Sequence, residues 1–186
     1  MNTVRLGAST DKEFIESVAT ESGQDVRRCY QCGKCTAGCP FSFAYDYPVS
    51  QIMRMVQAGQ KDAVLSSRAI WLCGSCQACT TRCPCNIDVA GVMEALRHMA
   101  RREGYATEKA VKTFWDTFLK TVERNGRVYE LGLVVEFMAR TGRVFTDVDL
   151  APTMLLKQKI DLLPHKIKGK EAVGDIIRKF KARKTT

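Results

Sequence analysis

The chain has 186 residues and nine cysteines, with 29 Lys and Arg against 20 Asp and Glu for a formal charge of +9 and a pI near 9.2. A chain of this length forms one or two small domains and buries roughly 70% of its unfolded surface, so it does not need cysteine as a staple. Neither the opening MNTVRLGASTDKEF nor any later run supplies a signal-peptide core or the roughly 18 uncharged apolar residues of a membrane span, which makes a cytoplasmic protein without a membrane span the expectation. Disulfides rarely persist in that compartment and an odd cysteine count cannot pair completely, so clustered thiols point to metal ligation.

In chain order, Thr10-Asp11-Lys12-Glu13 has the form of a capping box opening a short helix with Phe14 and Val18 on one face. The segment CYQCGKCTAGCP follows from Cys29. SQIMRMVQAG then predicts a helix from Ser50, after Pro48, to Gly59 at its C-cap, followed by a turn. RAIWLC leads into CGSCQACTTRCPCN, with Ile70, Trp71 and Leu72 as apolar cover. Asp88 caps a predicted helix carrying Val89, Val92, Met93, Leu96, Met99 and Ala100 at the 3.6-residue period and closed by Gly104.

The remainder contains no cysteine and reads as further helices: from a Thr107 cap through Val111, Phe114, Phe118 and Val122 to Gly126, then VYELGLVVEFMARTG before Gly142. Pro152 permits a start between Asp149 and Thr153, Pro164 ends that segment, and EAVGDIIRKFKARK is a final amphipathic stretch. No alternating pattern long enough for a sheet is present, and the predicted fold class is all-α.

Two copies of C-x2-C-x2-C-x3-C-P, offset by 44 residues, carry the chemistry. Three thiolates two residues apart can be wrapped by one tight loop around three irons of a cube. The fourth, followed by proline where a helix begins, projects to the neighbouring cluster, as in two-cluster ferredoxins. The expected ligand sets are Cys29, Cys32, Cys35 and Cys83 for one [4Fe-4S] cluster, and Cys73, Cys76, Cys79 and Cys39 for the other. Structural zinc would leave half of these thiols idle. Gly33, Gly38, Gly74, Ala37, Ser75 and Ala78 are expected to let backbone amides approach the sulfurs, while Lys34 and Arg82 either offset cluster charge or are solvated. Two clusters with their thiolates, each about −2 when oxidised, would bring the formal charge to about +5.

Cys85 reads as a buried, inert thiol, and His98 and His165 as surface or packing residues. The basic tail, KIKGK and then RKFKARK, reads as a solvated helix end or a docking surface for an acidic partner. Nucleic acid is not expected as a partner, because no recognition motif or aromatic interleaving accompanies the charge.

With both motifs, the RAIWLC lead-in and the helical linkers in place, the sequence resembles the family of C subunits of heterodisulfide reductase from methanogenic archaea. The motif resemblance covers about Asp25 to Gly104. It implies an N-terminal helical segment over 1–24, an α-helical ferredoxin domain with two [4Fe-4S] clusters over 25–105, and additional C-terminal helices over 106–186 that dock partners. It also implies a non-catalytic electron-transfer role in an oxidoreductase complex of methanogenesis. Electrons would pass from a flavin- and iron-sulfur-containing A subunit to a CCG-domain B subunit that reduces the coenzyme M/coenzyme B heterodisulfide, with a hydrogenase or formate dehydrogenase module feeding the A subunit. This chain has no CCG repeat and no G-x-G-x-x-G segment, so no catalytic residue and no cofactor-binding residue beyond the cluster ligands is assigned. Two alternatives remain at this stage: an iron-sulfur subunit of a glycolate, lactate or quinone-linked oxidoreductase, and a basic nucleic-acid-binding protein with structural clusters.

Overall fold

A computed structural model describes residues 11–105, 107–143, 150–157, 159, 161, 163–165 and 167–183. Among the described residues there are helices and no strands, as the all-α expectation requires. Thr10, Asp149, Lys166 and the last three residues, which figure in the sequence reading, lie outside them. The chain divides into two compact units, Met1–Glu108 and Lys109–Thr186.

In the first unit, α1 (Lys12–Ser22) starts where the Asp11 carboxylate accepts from the Phe14 amide at 2.9 Å, and it stops at Gly23 in the left-handed region. Phe14 and Val18 are its buried face. Two further helices carry the core: α3 (Val49–Gln57) and α7 (Val89–Arg102), with α2 (Lys34–Ala37) before them and α4 (Lys61–Leu65), α5 (Ala69–Leu72) and α6 (Ala78–Thr81) between. Asp88 caps α7 by accepting from the Gly91 amide at 2.9 Å. Val92, Met93, Leu96 and Ala100 of α7 are fully buried, as are Ile52, Met53 and Val56 of α3. Each large apolar side chain removed from water in this way contributes ~1.5–3 kcal/mol. α7 packs against α1, α4, α5 and α6, and α3 packs against α1, α2 and α4, so the cysteine-bearing turns are fastened to one core.

The sequence reading assigned only a turn after Gly59, yet KDAVL forms α4 and buries Val64 and Leu65 completely. Five residues are too few for an apolar period to be visible, and tertiary burial decides their conformation.

In the second unit, α8 (Lys109–Asn125) packs against α9 (Glu130–Thr141) and α11 (Lys170–Arg183), with α10 (Ala151–Leu156) between them in the chain. Phe114 meets Trp115 and Phe137 edge-on, with ring centroids 5.7 and 5.8 Å apart. Lys120 reaches Glu136 at 2.7 Å and Lys181 reaches Glu123 at 2.5 Å. Gly126 and Gly142 close α8 and α9 with positive φ, as predicted. Thr107 instead donates its hydroxyl to the Ser66 carbonyl at 2.8 Å, within the first unit. Among the described residues of this unit only Thr117, Leu133 and Gly174 are buried, whereas Trp115, Leu119, Val135, Ile176 and Phe180 are exposed.

A single carboxylate ties the loop after the first motif to the helix before the second. Asp46 accepts from the Ser67 hydroxyl at 2.7 Å and from the Arg68, Tyr47 and Ala69 amides at 2.8, 2.9 and 3.0 Å. Burial alone would raise this carboxyl, but the bonds from Arg68, Ser67 and Ala69 together outweigh it and hold the group below the usual carboxylate range. Its contribution is therefore complete above the unfolded value of about 3.9 and is lost as pH falls through the lower folded value. Asp46→Asn should cost about 1–2 kcal/mol at pH 7, allowing for solvent screening, and flatten the acid dependence of stability below about pH 4. Denaturant melts across pH 2–7 check this, and identical curves for the two proteins would refute it.

Candidate metal centre: two thiol-lined cavities

All nine cysteines are unpaired, and all of them line two cavities of about 370 and 320 Å³, their mouths included. The first is bounded by Cys29, Cys32 and Cys35 of the first motif and by Cys83 and Cys85 of the second, with Met53 of α3 and Val89 of α7. The second is bounded by Cys73, Cys76 and Cys79 of the second motif and by Cys39 of the first, with Val49 of α3 and Met93 of α7. Each cavity thus gathers three thiols of one motif and the fourth of the other, and each of the two core helices lines both.

Local geometry explains the gathering. In each motif the residues immediately before and after the second cysteine have positive φ: Gln31 and Gly33 in the first, Ser75 and Gln77 in the second. Three of these four are not glycine, a strain that the surroundings must offset. One turn of helix, α2 or α6, then presents the buried Cys35 or Cys79. The next residue is threonine in both cases. Thr36 Oγ1 accepts from the Ser50 amide at 2.9 Å, and Thr80 Oγ1 accepts from the Ala90 amide at 3.1 Å while donating to Asp88 Oδ1 at 2.8 Å. Each cysteine turn is thereby bonded to the start of a core helix.

Gly38 and Gly74 also make room for side chains from the other half. A Cβ on Gly74 would lie 2.7 Å from the Phe41 ring, and one on Gly38 would lie 2.5 Å from the Arg82 side chain. Each motif's glycine admits a side chain of the other motif. Arg82 and Lys34 are both exposed, and Arg82's stem covers Gly38.

Several groups approach the sulfurs. Gln31 Nε2 donates to Cys29 Sγ and the Ile87 amide donates to Cys83 Sγ, both at 3.4 Å, and Tyr45 Oη lies 3.7 Å from Cys39 Sγ. Burial pushes the Cys35 thiol up and the Cys79 thiol up to about 11, while burial and the Cys39 bond hold the Tyr45 phenol well above the tyrosine range. These buried thiols would therefore become thiolates when a metal binds and displaces their protons to solvent. Among the described residues no three Cys, His, Asp or Glu side chains form a group that could hold a single ion, whereas the four motif thiols lining each cavity match in number the four irons of a cube.

Residues 25–87 match a family model described as a 4Fe-4S dicluster domain. Over 160 residues, 81% of this chain and 86% of the relative, the chain is 31% identical to the second iron-sulfur C subunit of the CoB--CoM heterodisulfide reductase of Methanocaldococcus jannaschii. The chain belongs to the family of heterodisulfide reductase C subunits. It is also 36% identical over 115 residues to the C subunit of the H(2):CoB-CoM heterodisulfide,ferredoxin reductase of Methanothermobacter thermautotrophicus, covering 61% of this chain and 62% of the relative. With the iron-sulfur C subunit of the CoB--CoM heterodisulfide reductase of Methanopyrus kandleri it shares 37% over 94 residues, about half of each chain. As an iron-sulfur subunit of this oxidoreductase family, the protein carries a domain that implies two [4Fe-4S] clusters, and two cavities of similar size, each lined by three thiols of one motif and the fourth of the other, fit them. No helix among the described residues is long and apolar enough to cross a membrane.

Of the other sequence candidates, Cys85 is half-buried rather than buried and lines the first cavity as a fifth thiol. His98 and His165 are exposed beside Glu94 and Asp161 and line neither cavity. The sequence reading missed Thr36, Thr80 and Tyr45. The CTAGCP and CTTRCP pair does signal the threonines, since the same hydroxyl recurs one place after the third cysteine in both motifs. Thr80→Val should cost about 1–2 kcal/mol by removing the partner of the Ala90 amide. Thermal unfolding of the cluster-loaded protein checks this, and an unchanged midpoint counts against the threonine tie.

Proposed function

We propose that the chain is an electron relay in a heterodisulfide reductase complex. Cys29, Cys32, Cys35 and Cys83 hold one [4Fe-4S] cluster, and Cys73, Cys76, Cys79 and Cys39 hold the other. When bound, each cluster takes up and gives up an electron without forming or breaking a bond to substrate. The observation that carries this reading is the meeting of thiols from both motifs in each cavity. The chain's own residues bind the clusters, limit water at the buried Cys35 and Cys79, donate to ligand sulfurs through Gln31 and Ile87, and set the Tyr45 hydroxyl beside Cys39. The substrate chemistry lies in partners: a flavin-containing A subunit supplies electrons, and a B subunit uses them on the coenzyme M/coenzyme B disulfide in the cytoplasm. The chain spans 62% of the length of the Methanothermobacter relative, and these assignments of activity and partners rest on the family reading.

Anaerobically purified protein should hold about eight iron and eight sulfide per chain, with two interacting spins on reduction. Zinc in place of iron would overturn the relay. Because Cys85 lies in the first cavity, the crossed ligand set is tested with Cys83→Ser made in a Cys85→Ala background. The cluster built on Cys29 should change its EPR signal, and a change confined to the cluster built on Cys73 would refute the assignment.

The 106–186 region is the proposed docking segment, and the exposed Trp115, Leu119, Val135, Ile176 and Phe180 support that role. Removing residues after Pro164 should weaken assembly with the A and B subunits without lowering iron content, as read by co-purification and iron analysis. Unaltered assembly would overturn the assignment for this tail.

A further inference from the structure

The two cavities are related by the duplication, but the charge beside them is not. Cys29 follows a single helical turn, Val26–Arg28, and Cys73 follows α5. In each case a side chain from a core helix reaches across to the exposed carbonyls. Gln57, which ends the nine-residue α3, donates through Nε2 to the carbonyls of Val26 and Cys29 at 3.0 and 2.8 Å. Arg97, at the corresponding place in α7, donates through Nε to the Ile70 carbonyl at 2.8 Å and through Nη2 to the Cys73 carbonyl at 2.6 Å. Val26 and Cys29 are the repeat equivalents of Ile70 and Cys73 at the 44-residue offset. The same structural task is performed by a neutral amide in one half and by a guanidinium in the other.

We infer that Arg97 sets the two clusters apart in potential, making the one held by the Cys73 loop the more easily reduced. Reduction adds one electron and takes the cluster with its thiolates from about −2 to about −3, with no proton moved. A fixed cation at the Cys73 carbonyl stabilises the more negative form, and Arg97 is half-buried, so solvent screens it incompletely. Gln57 offers only a dipole, whose effect falls off faster with distance. Neutral groups stand on both sides: Gln31 and the Ile87 amide donate to sulfurs of the first cavity, and the Tyr45 hydroxyl lies beside Cys39 in the second. They leave the charge difference standing. On the first side the exposed Arg27 and Arg28 precede Cys29 and the exposed Lys34 lies in its loop, all screened by solvent. Arg54, whose Nη1 donates to Gln57 Oε1 at 3.4 Å, is likewise exposed, and its place in the repeat is taken in α7 by the exposed Glu94. Screening weakens all of these relative to Arg97.

This inference rests on the two-cluster reading and is tested by EPR-monitored redox titration of the full, cluster-loaded chain, with dithionite as reductant. Wild-type protein lacking two clusters would defeat the proposed function itself, whereas two clusters with unmoved potentials would defeat only the role of Arg97. Cys76→Ser alters the signal of the cluster on the Cys73 loop and so identifies its wave, which should be the upper one. In Arg97→Gln, the reduced-to-oxidised ratio of that cluster at fixed potential should fall about tenfold, ~59 mV for a one-electron couple, with the other wave changing by less than about twofold. Arg97→Lys, which keeps the charge without the two-pronged tie, should retain the wild-type potential, as a merely structural role would not. If Arg97→Gln fails to hold about eight irons, Gln57→Arg supplies the converse measurement and should raise the lower wave. An unmoved upper wave in Arg97→Gln, equal movement of both, or an unmoved lower wave in Gln57→Arg overturns the inference.

Discussion

Neither thiol-lined cavity exists within one motif. Each is completed by a cysteine arriving from the other half of the first unit, so the cavities and the packing of α3 against its neighbours and α7 against its own form together or not at all. Three consecutive thiols on a short turn have no apolar surface with which to fasten themselves. The buried faces of the two core helices, the threonine ties at Thr36 and Thr80 and the Asp46 clamp provide that anchorage. Metal binding and folding are then linked: cluster ligation stabilises the same contacts that bring the thiols together.

The duplication is followed closely in the places that touch sulfur and broken in the loops and side chains around them. Cysteine turns, positive φ positions, threonines and helix starts recur in both halves. Residues 41–48 separate Pro40 from α3, whereas only residues 85–88 separate Pro84 from α7, and the longer loop brings Tyr45 to Cys39 and Asp46 to Ser67. Glycines 38 and 74 allow Arg82 and Phe41 to lie across the boundary between the halves. Two identical sites would leave an electron no preference. Unequal surroundings supply one, and the exchange of Gln57 for Arg97 is the largest difference in formal charge among the carbonyl contacts of the two loops.

The units differ in how they treat apolar surface. Among its described residues the first hides nearly all of its own, leaving Tyr30, Phe41 and Phe43 exposed among its large hydrophobics, within the first motif and just after it. The second exposes large residues on α8, α9, α10 and α11 while burying little, a distribution that suits a surface completed by another protein.

Much of this was legible beforehand because it is local or repeated. Cysteine spacing, the Asp11 and Asp88 caps, the glycine stops and the apolar period of α7 all act over a few residues, and their consequences follow from chain geometry. Helix α4 escaped notice because five residues show no period, and the room that Gly74 leaves for a ring was not visible because that ring comes from residue 41. By itself the sequence determined an all-helical chain with thiols in two equal groups and a chemistry of iron and sulfur. Tertiary structure alone decided which amide, phenol or guanidinium stands beside each group, since Gln57 and Arg97 lie 28 and 24 residues from the cysteines whose carbonyls they hold. A hydrogen bond or a charge acts through space, and no pattern of neighbours along the chain encodes that distance.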